Sequence, residues 1–113
     1  MKEDRINKLI PLQDSLRYKF KDLELLDKAL THKSYSNETV LSVKNNERLE
    51  FLGDAVLDLI VGEYMFLSYQ NLSEGPLSKI RADVVNENCL AGIALNIKLG
   101  NYLLLGKGEC FSG

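Results

Sequence analysis

Apolar residues recur at three-to-four spacing along most of the chain, the period of an α-helix with one buried side. Between Asp22 and His32 the series Leu23, Leu25, Leu26, Ala29 and Leu30 predicts a helix, with Asp22 placed to cap its first free amides. Residues 33–45 include Ser34, Ser36, Asn37, Thr39 and Ser42, and read as a polar connection inside one domain. The longest helix is expected from about Asn46 to Phe66, capped by Asn45 or Asn46. Two more are expected, over Pro76 to Val85 and Asn86 to Leu99, with Gly100 in the left-handed position that ends a helix. Pro11 and Pro76 each stand where a helix can begin or end. Tyr102 to Leu105 is a short apolar run that pattern alone leaves as extended chain or helical turn. The expected fold class is therefore all-α.

On an ideal wheel of about 100° per residue, Leu49, Leu52, Val56, Leu59 and Ile60 make one wide apolar face, the expected core seam of the long helix. Glu47, Glu50, Asp54 and Asp58 fall on another flank within an arc of roughly 80°. Acids at i and i+4 repel, costing an isolated helix a few tenths of a kcal/mol per pair unless a cation lies between them. A divalent metal is one such cation: magnesium takes oxygen ligands, and Glu50 and Asp54 stand one turn apart. The plain alternative is that the acidic flank is only a solvated face, and Glu47 is favoured in a first turn by the helix dipole with no further task. Gly53 and Gly62 lie inside the helix at a cost of about 1 kcal/mol each relative to alanine, which implies a close approach to the backbone. Phe51 falls at the edge of the acidic flank, off the main apolar face, so either a partner subunit or another part of the chain should cover it.

Bulk properties narrow the class. With 113 residues, 45% of them hydrophobic, the chain fits one domain, 1–113, and can bury a core without staples. A net charge of −2 argues against nucleic-acid binding through a dense basic face. Cys89 and Cys110 lack zinc-site spacing and are too few for a disulfide framework, which points to a reducing, cytoplasmic setting, with Cys89 expected in the core. The charged start has no signal-peptide core, and no run is long enough to span a bilayer, so no membrane role is expected. His32, the single histidine, is placed at a helix C-terminus, where the dipole favours it without catalysis. No glycine loop of nucleotide-binding type is present.

The string Asn46-Glu47-Arg48-Leu49-Glu50-Phe51-Leu52-Gly53-Asp54, followed by Ala55-Val56-Leu57, resembles the signature of the ribonuclease III family. Ala29-Leu30-Thr31-His32-Lys33-Ser34 is similar to a second family segment. So are Ser73-Glu74-Gly75-Pro76-Leu77-Ser78-Lys79-Ile80-Arg81-Ala82 and Leu99-Gly100-Asn101-Tyr102-Leu103, and all fall in the family's order. The resemblance implies the bacterial-type endonuclease domain: a metal-dependent enzyme that cuts double-stranded RNA, rRNA precursors among its substrates, to 5′-phosphate and 3′-hydroxyl ends as a homodimer. Glu50 and Asp54 would be the catalytic, Mg2+-binding carboxylates, with Mn2+ a possible substitute. Glu47 and Glu74 would be supporting acids, Phe51 a dimer contact, and Arg48 structural or a dimer contact. Lys79 reads as a solvated position, and Arg81 as a packing or pairing residue. Duplex RNA is read by shape and 2′-hydroxyls, so strong sequence preference is not required.

The family completes its metal site with a second acidic pair on a later helix, after a Ser-Gly-rich segment. This chain ends at Phe111-Ser112-Gly113, where that segment would begin. The second pair, its helix and the family's double-stranded-RNA-binding domain are therefore expected to be absent and the domain truncated. Two carboxylates in place of four imply weak metal binding and a fragment inactive by itself. Asp83 and Glu87 lie in the wrong segment and receive no catalytic role. The rival reading is a non-catalytic dimerisation or ribosome-associated module of the same family, and a third is a helical interaction domain with a solubilising acidic flank.

Overall fold

The computed structural model describes residues 1–38 and 44–107; Thr39 and Ser42 of the polar connection, Cys110, and the closing Phe111-Ser112-Gly113 lie outside them. Its elements are α1 (Glu3–Lys8), α2 (Ile10–Leu16), α3 (Leu23–Ala29), α4 (Lys33–Glu38), α5 (Glu47–Ser68), α6 (Glu74–Val84) and α7 (Glu87–Asn96), then a 3-10 turn over Leu99–Asn101. Among the described residues there is no strand, only an isolated parallel bridge between Thr31 and Leu104. The fold is all-α, as the periodicity predicts.

The first two helices are short because Pro11 restarts the chain in the first turn of α2, where its missing amide costs nothing. Leu9, at the junction between them, and Leu12 of α2 are nonetheless among the deepest side chains, and they pack with Leu26 and Leu30 of the α3 region. Ile97, Leu99, Tyr102 and Leu103 close over this cluster from the far end of the chain. Arg5 fastens the same junction, its guanidinium donating to Asp27 Oδ1 and to the Tyr102 carbonyl, each at 2.7 Å. Gln13 is buried without penalty, since its amide donates to the Leu9 carbonyl and accepts from the Phe20 backbone N–H at 2.9 Å. Asp22 caps α3 as expected, accepting from the amides of Glu24 and Leu25.

The end of α3 is a junction. The Ala29, Leu30 and Thr31 carbonyls, which a helix C-terminus leaves without intrahelical donors, are taken by Asn46 Nδ2 (3.0 Å), the Leu104 N–H (2.8 Å) and the Asn46 N–H (2.8 Å). The His32 N–H then donates to the Leu104 carbonyl at 2.9 Å. α4 arises here, inside the stretch expected to be an irregular connection. His32 Nδ1 accepts the Ser34 N–H and lies 2.7 Å from the Ser34 hydroxyl, so an imidazole does the capping that a serine or aspartate usually does. His32 thus serves the start of α4 rather than only the end of α3. Ser34 Oγ also accepts the Gly106 N–H at 2.8 Å.

Several expectations are corrected. The apolar face of α5 is not a core seam within the described residues: Leu52, Val56, Leu59 and Ile60 are 58%, 45%, 70% and 61% exposed. The core is built instead by the α1–α3 layer and residues 97–103, and α5 buries only Met65, near the end that packs on α6. Helix period identifies an apolar face but not whether another segment reaches it. The molecule is correspondingly long, 54 × 28 × 23 Å, with a radius of gyration of 16.8 Å. A compact chain of this size would have about 13 Å. Cys89 is exposed, its thiol 3.4 Å from the Asp83 carbonyl, because the first turn of α7 turns it outward. The left-handed residue after α7 is Lys98 (φ 56°), not Gly100, because the 3-10 turn begins at Leu99 and the reversal must precede it.

Candidate functional site

α5 carries Glu47, Glu50, Asp54 and Asp58, all exposed. The helix starts sharply. Asn45 Oδ1 accepts the Glu47 N–H at 3.0 Å, and the Asn46 carbonyl accepts the Glu50 N–H at 2.8 Å. Glu47 and Glu50 therefore sit in the first turn, where unpaired amides favour negative charge. Asp54 follows one turn later, about 6 Å along the axis. Neither Glu50 nor Asp54 is ion-paired among the described residues, so no internal cation relieves their proximity. No group of three His, Cys, Asp or Glu side chains suited to a metal ion occurs among them either. The pair offers two hard oxygen donors on one flank and leaves the rest of a cation's coordination shell open.

Asp54 and Asp58 line an open cleft of about 710 Å³ between α5 and α7, shared with Leu57, Glu87 and Leu90. Glu87, given no role from sequence, thus shares a cleft with Asp54; its position depends on how α7 folds back, which no local pattern reveals. On the other side of the helix start, Lys28, Glu47, Arg48 and Phe51 border a second cavity of about 470 Å³. Phe51 is 83% exposed, in keeping with its awkward place on the wheel. Glu74 is not brought to the Glu50–Asp54 flank. It opens α6 and lines a cavity with Gly62, Met65 and Phe66, and Gly62 lies two turns beyond Asp54, about 12 Å along α5.

The two helix glycines differ. A Cβ on Gly62 would meet the Arg81 guanidinium at 3.6 Å, which agrees with a packing role for Arg81. A Cβ on Gly53 would meet nothing within 4 Å. The Gly53→Ala protein should therefore gain stability, by up to about 1 kcal/mol, in urea unfolding of this chain. A destabilised Gly53→Ala protein would show that something does press on the backbone there.

The model of the ribonuclease-III-like family matches residues 22–113, which includes α3 to α7 and both carboxylates. The chain belongs to the ribonuclease-III-like family. It is 49% identical over 102 residues to ribonuclease 3 of Bdellovibrio bacteriovorus, covering 90% of this chain and 44% of the relative. With ribonuclease 3 of Campylobacter fetus it shares 53% over 104 residues, covering 92% and 44%. The chain thus spans less than half the length of these curated relatives. Two solved structures of the ribonuclease III nuclease domain from Campylobacter jejuni superpose with TM-scores of 0.83 and 0.80 at 50% identity. They cover 93% and 100% of this chain, which covers 70% of each of theirs. The first is described as showing structural flexibility in a region involved in dimer formation. The ribonuclease-III-like fold therefore accounts for the order of helices in this chain.

Proposed function

We propose that this chain is the front part of a ribonuclease III-type endonuclease domain that cleaves double-stranded RNA. The observation that carries the reading is the exposed, unpaired Glu50–Asp54 pair in the first turns of α5, within the segment that the family model matches. Glu50 and Asp54 would hold Mg2+, or Mn2+ in its place, since both metals take carboxylate oxygens and a two-residue site leaves room for water and phosphate. Once bound, the metal supplies Lewis acidity for water attack on the phosphodiester and for departure of the 3′-oxygen. The chain's own part is to fix the two carboxylates on a rigid helix and to leave them free of competing cations. The resulting ends are 5′-phosphate and 3′-hydroxyl, and precursors of rRNA are among the duplexes such an enzyme would process.

Glu47 and Glu74 are assigned supporting roles, Glu47 beside the pair and Glu74 from its separate position at the start of α6. A homodimer is the assembly we infer, with Phe51 and the uncovered apolar residues of α5 as the contact. Burying even Leu59, Ile60 and Phe51 would contribute several kcal/mol. A cytoplasmic setting follows from the family reading. No helix among the described residues is long and apolar enough to cross a membrane.

The test is cleavage of a long RNA duplex by this chain and by a version extended through the expected second acidic helix, with Mg2+ and with chelator. The extended protein should cut only with the metal and leave 5′-phosphate ends. Failure of that protein to cut would overturn the enzyme reading and favour a non-catalytic module.

A further inference from the structure

Asn46 occupies the capping position of α5, yet its side chain forms no cap: the backbone is at φ −92°, ψ 6°, outside the extended conformation a capping residue usually takes. Asn45 does the capping, through Oδ1 to the Glu47 N–H. The Asn46 amide turns the other way and donates to the Ala29 carbonyl, while the Asn46 N–H donates to Thr31 and the Asn46 carbonyl accepts from Glu50. One residue therefore joins the end of α3, in the core layer, to the first turn of the carboxylate helix. Beyond a 3.2 Å bond from Asn45 Nδ2 to Ser36 Oγ of α4, α5 has little else to fix it at this end, since its apolar residues from Leu52 to Ile60 are largely uncovered.

We infer that Asn46 is a positioning residue, holding α5 against the Ala29 and Thr31 carbonyls so that Glu50 and Asp54 stand in a fixed place relative to the α1–α3 layer. The inference about metal rests on the nuclease reading; the anchoring itself does not. An Asn→Asp change separates anchoring from capping. Aspartate caps as well as asparagine and is favoured at a helix start, so a capping role would leave Asn46→Asp unharmed. As an anchor it fails, because the donor to Ala29 becomes an acceptor facing a carbonyl. The extra negative charge would by itself tighten cation binding, opposite to the effect of losing the anchor.

The experiment uses residues 1–113 labelled for NMR, comparing the parent with Asn46→Asp and with Asn45→Ala, which removes the cap and the bond to Ser36 of α4 but keeps both bonds to the end of α3. Residual dipolar couplings report the angle between α3 and α5, and Mn2+ titration reports half-saturation from broadening of α5 amides. In Asn46→Asp the couplings of α5 should change relative to those of α3, and half-saturation should rise about tenfold, the range for groups that orient metal-bound side chains. Asn45→Ala should fray the helix start without either effect. Unchanged couplings in Asn46→Asp overturn the anchor. Altered couplings with unaltered half-saturation overturn its role in placing the carboxylates. If the parent binds no Mn2+ on α5, the metal reading fails while the couplings still decide the anchor.

Discussion

Replacing Leu9 with alanine should cost about 3–5 kcal/mol, a large part of the stability of a small domain. Leu9 is completely buried and Leu12 nearly so, and the buried apolar set among the described residues is small: Leu9, Leu12, Leu26, Leu30 and Met65. Four of these form one cluster, so a cavity at Leu9 removes contacts that no second core can replace. The neighbours that might collapse into the gap are themselves held: Gln13 by its bonds to Leu9 and Phe20, Arg5 by Asp27 and Tyr102. Urea unfolding followed by circular dichroism measures the cost. The matched comparison is Leu59→Ala on the open face of α5, where 70% exposure predicts a change within about 0.5 kcal/mol in the monomer. Comparable losses at the two positions would mean that the core does not lie where the structure puts it.

The opposite pairing of effects is expected at the acidic flank. Glu50→Gln and Asp54→Asn should each lower metal-dependent cleavage by the extended protein by about 10²-fold or more, because each removes a charged ligand from a site with few. Folding should not suffer. Neither carboxylate has an ion-pair partner to lose, and the few tenths of a kcal/mol gained by relieving the i, i+4 repulsion largely offset the dipole stabilisation that Glu50 forfeits in the first turn. Loss of activity together with unchanged or slightly raised stability would be the signature of residues retained for chemistry at the expense of the helix. Single-turnover cleavage of duplex RNA and urea unfolding, measured on the same samples, give both numbers. Variants that cut as fast as the parent would remove Glu50 and Asp54 from the metal site.

Local chemistry was legible in the sequence wherever it was complete within a few residues. The Asp22 cap, the span of α5 and the shared flank of Glu50 and Asp54 all follow from spacing, and the structure has each of them. What failed needed knowledge of distant segments. Nothing near Leu59 indicates that no other helix covers it, and nothing near Cys89 says that its side of α7 faces out. α4 has no sequence signal because its cap is a histidine, and the N-terminal helices have a weak one because each is about two turns or less and a proline separates them. The orientation of Asn46 was illegible for the same reason: Asn45 and Asn46 are equivalent as caps on paper, and only the arrival of the α3 carbonyls distinguishes them.

The central cluster draws on residues 9–30 and again on 97–103, so α4 to α7 lie on one long excursion between the two halves of a single core. Closing a loop of about 70 residues costs little more entropy than closing one half as long. Its effect is on timing. During synthesis Leu9, Leu12, Leu26 and Leu30 join the chain well before Ile97, Leu99, Tyr102 and Leu103 exist, an interval of roughly 3–15 s after Leu30 at about 5–20 residues per second. Over that interval the core is half made while α5, with its bare apolar side, is added to the same chain. The site helix is thus complete before the core beside its anchor is closed, and the bonds from Leu104 to Leu30 and His32 mark the moment at which the domain can close.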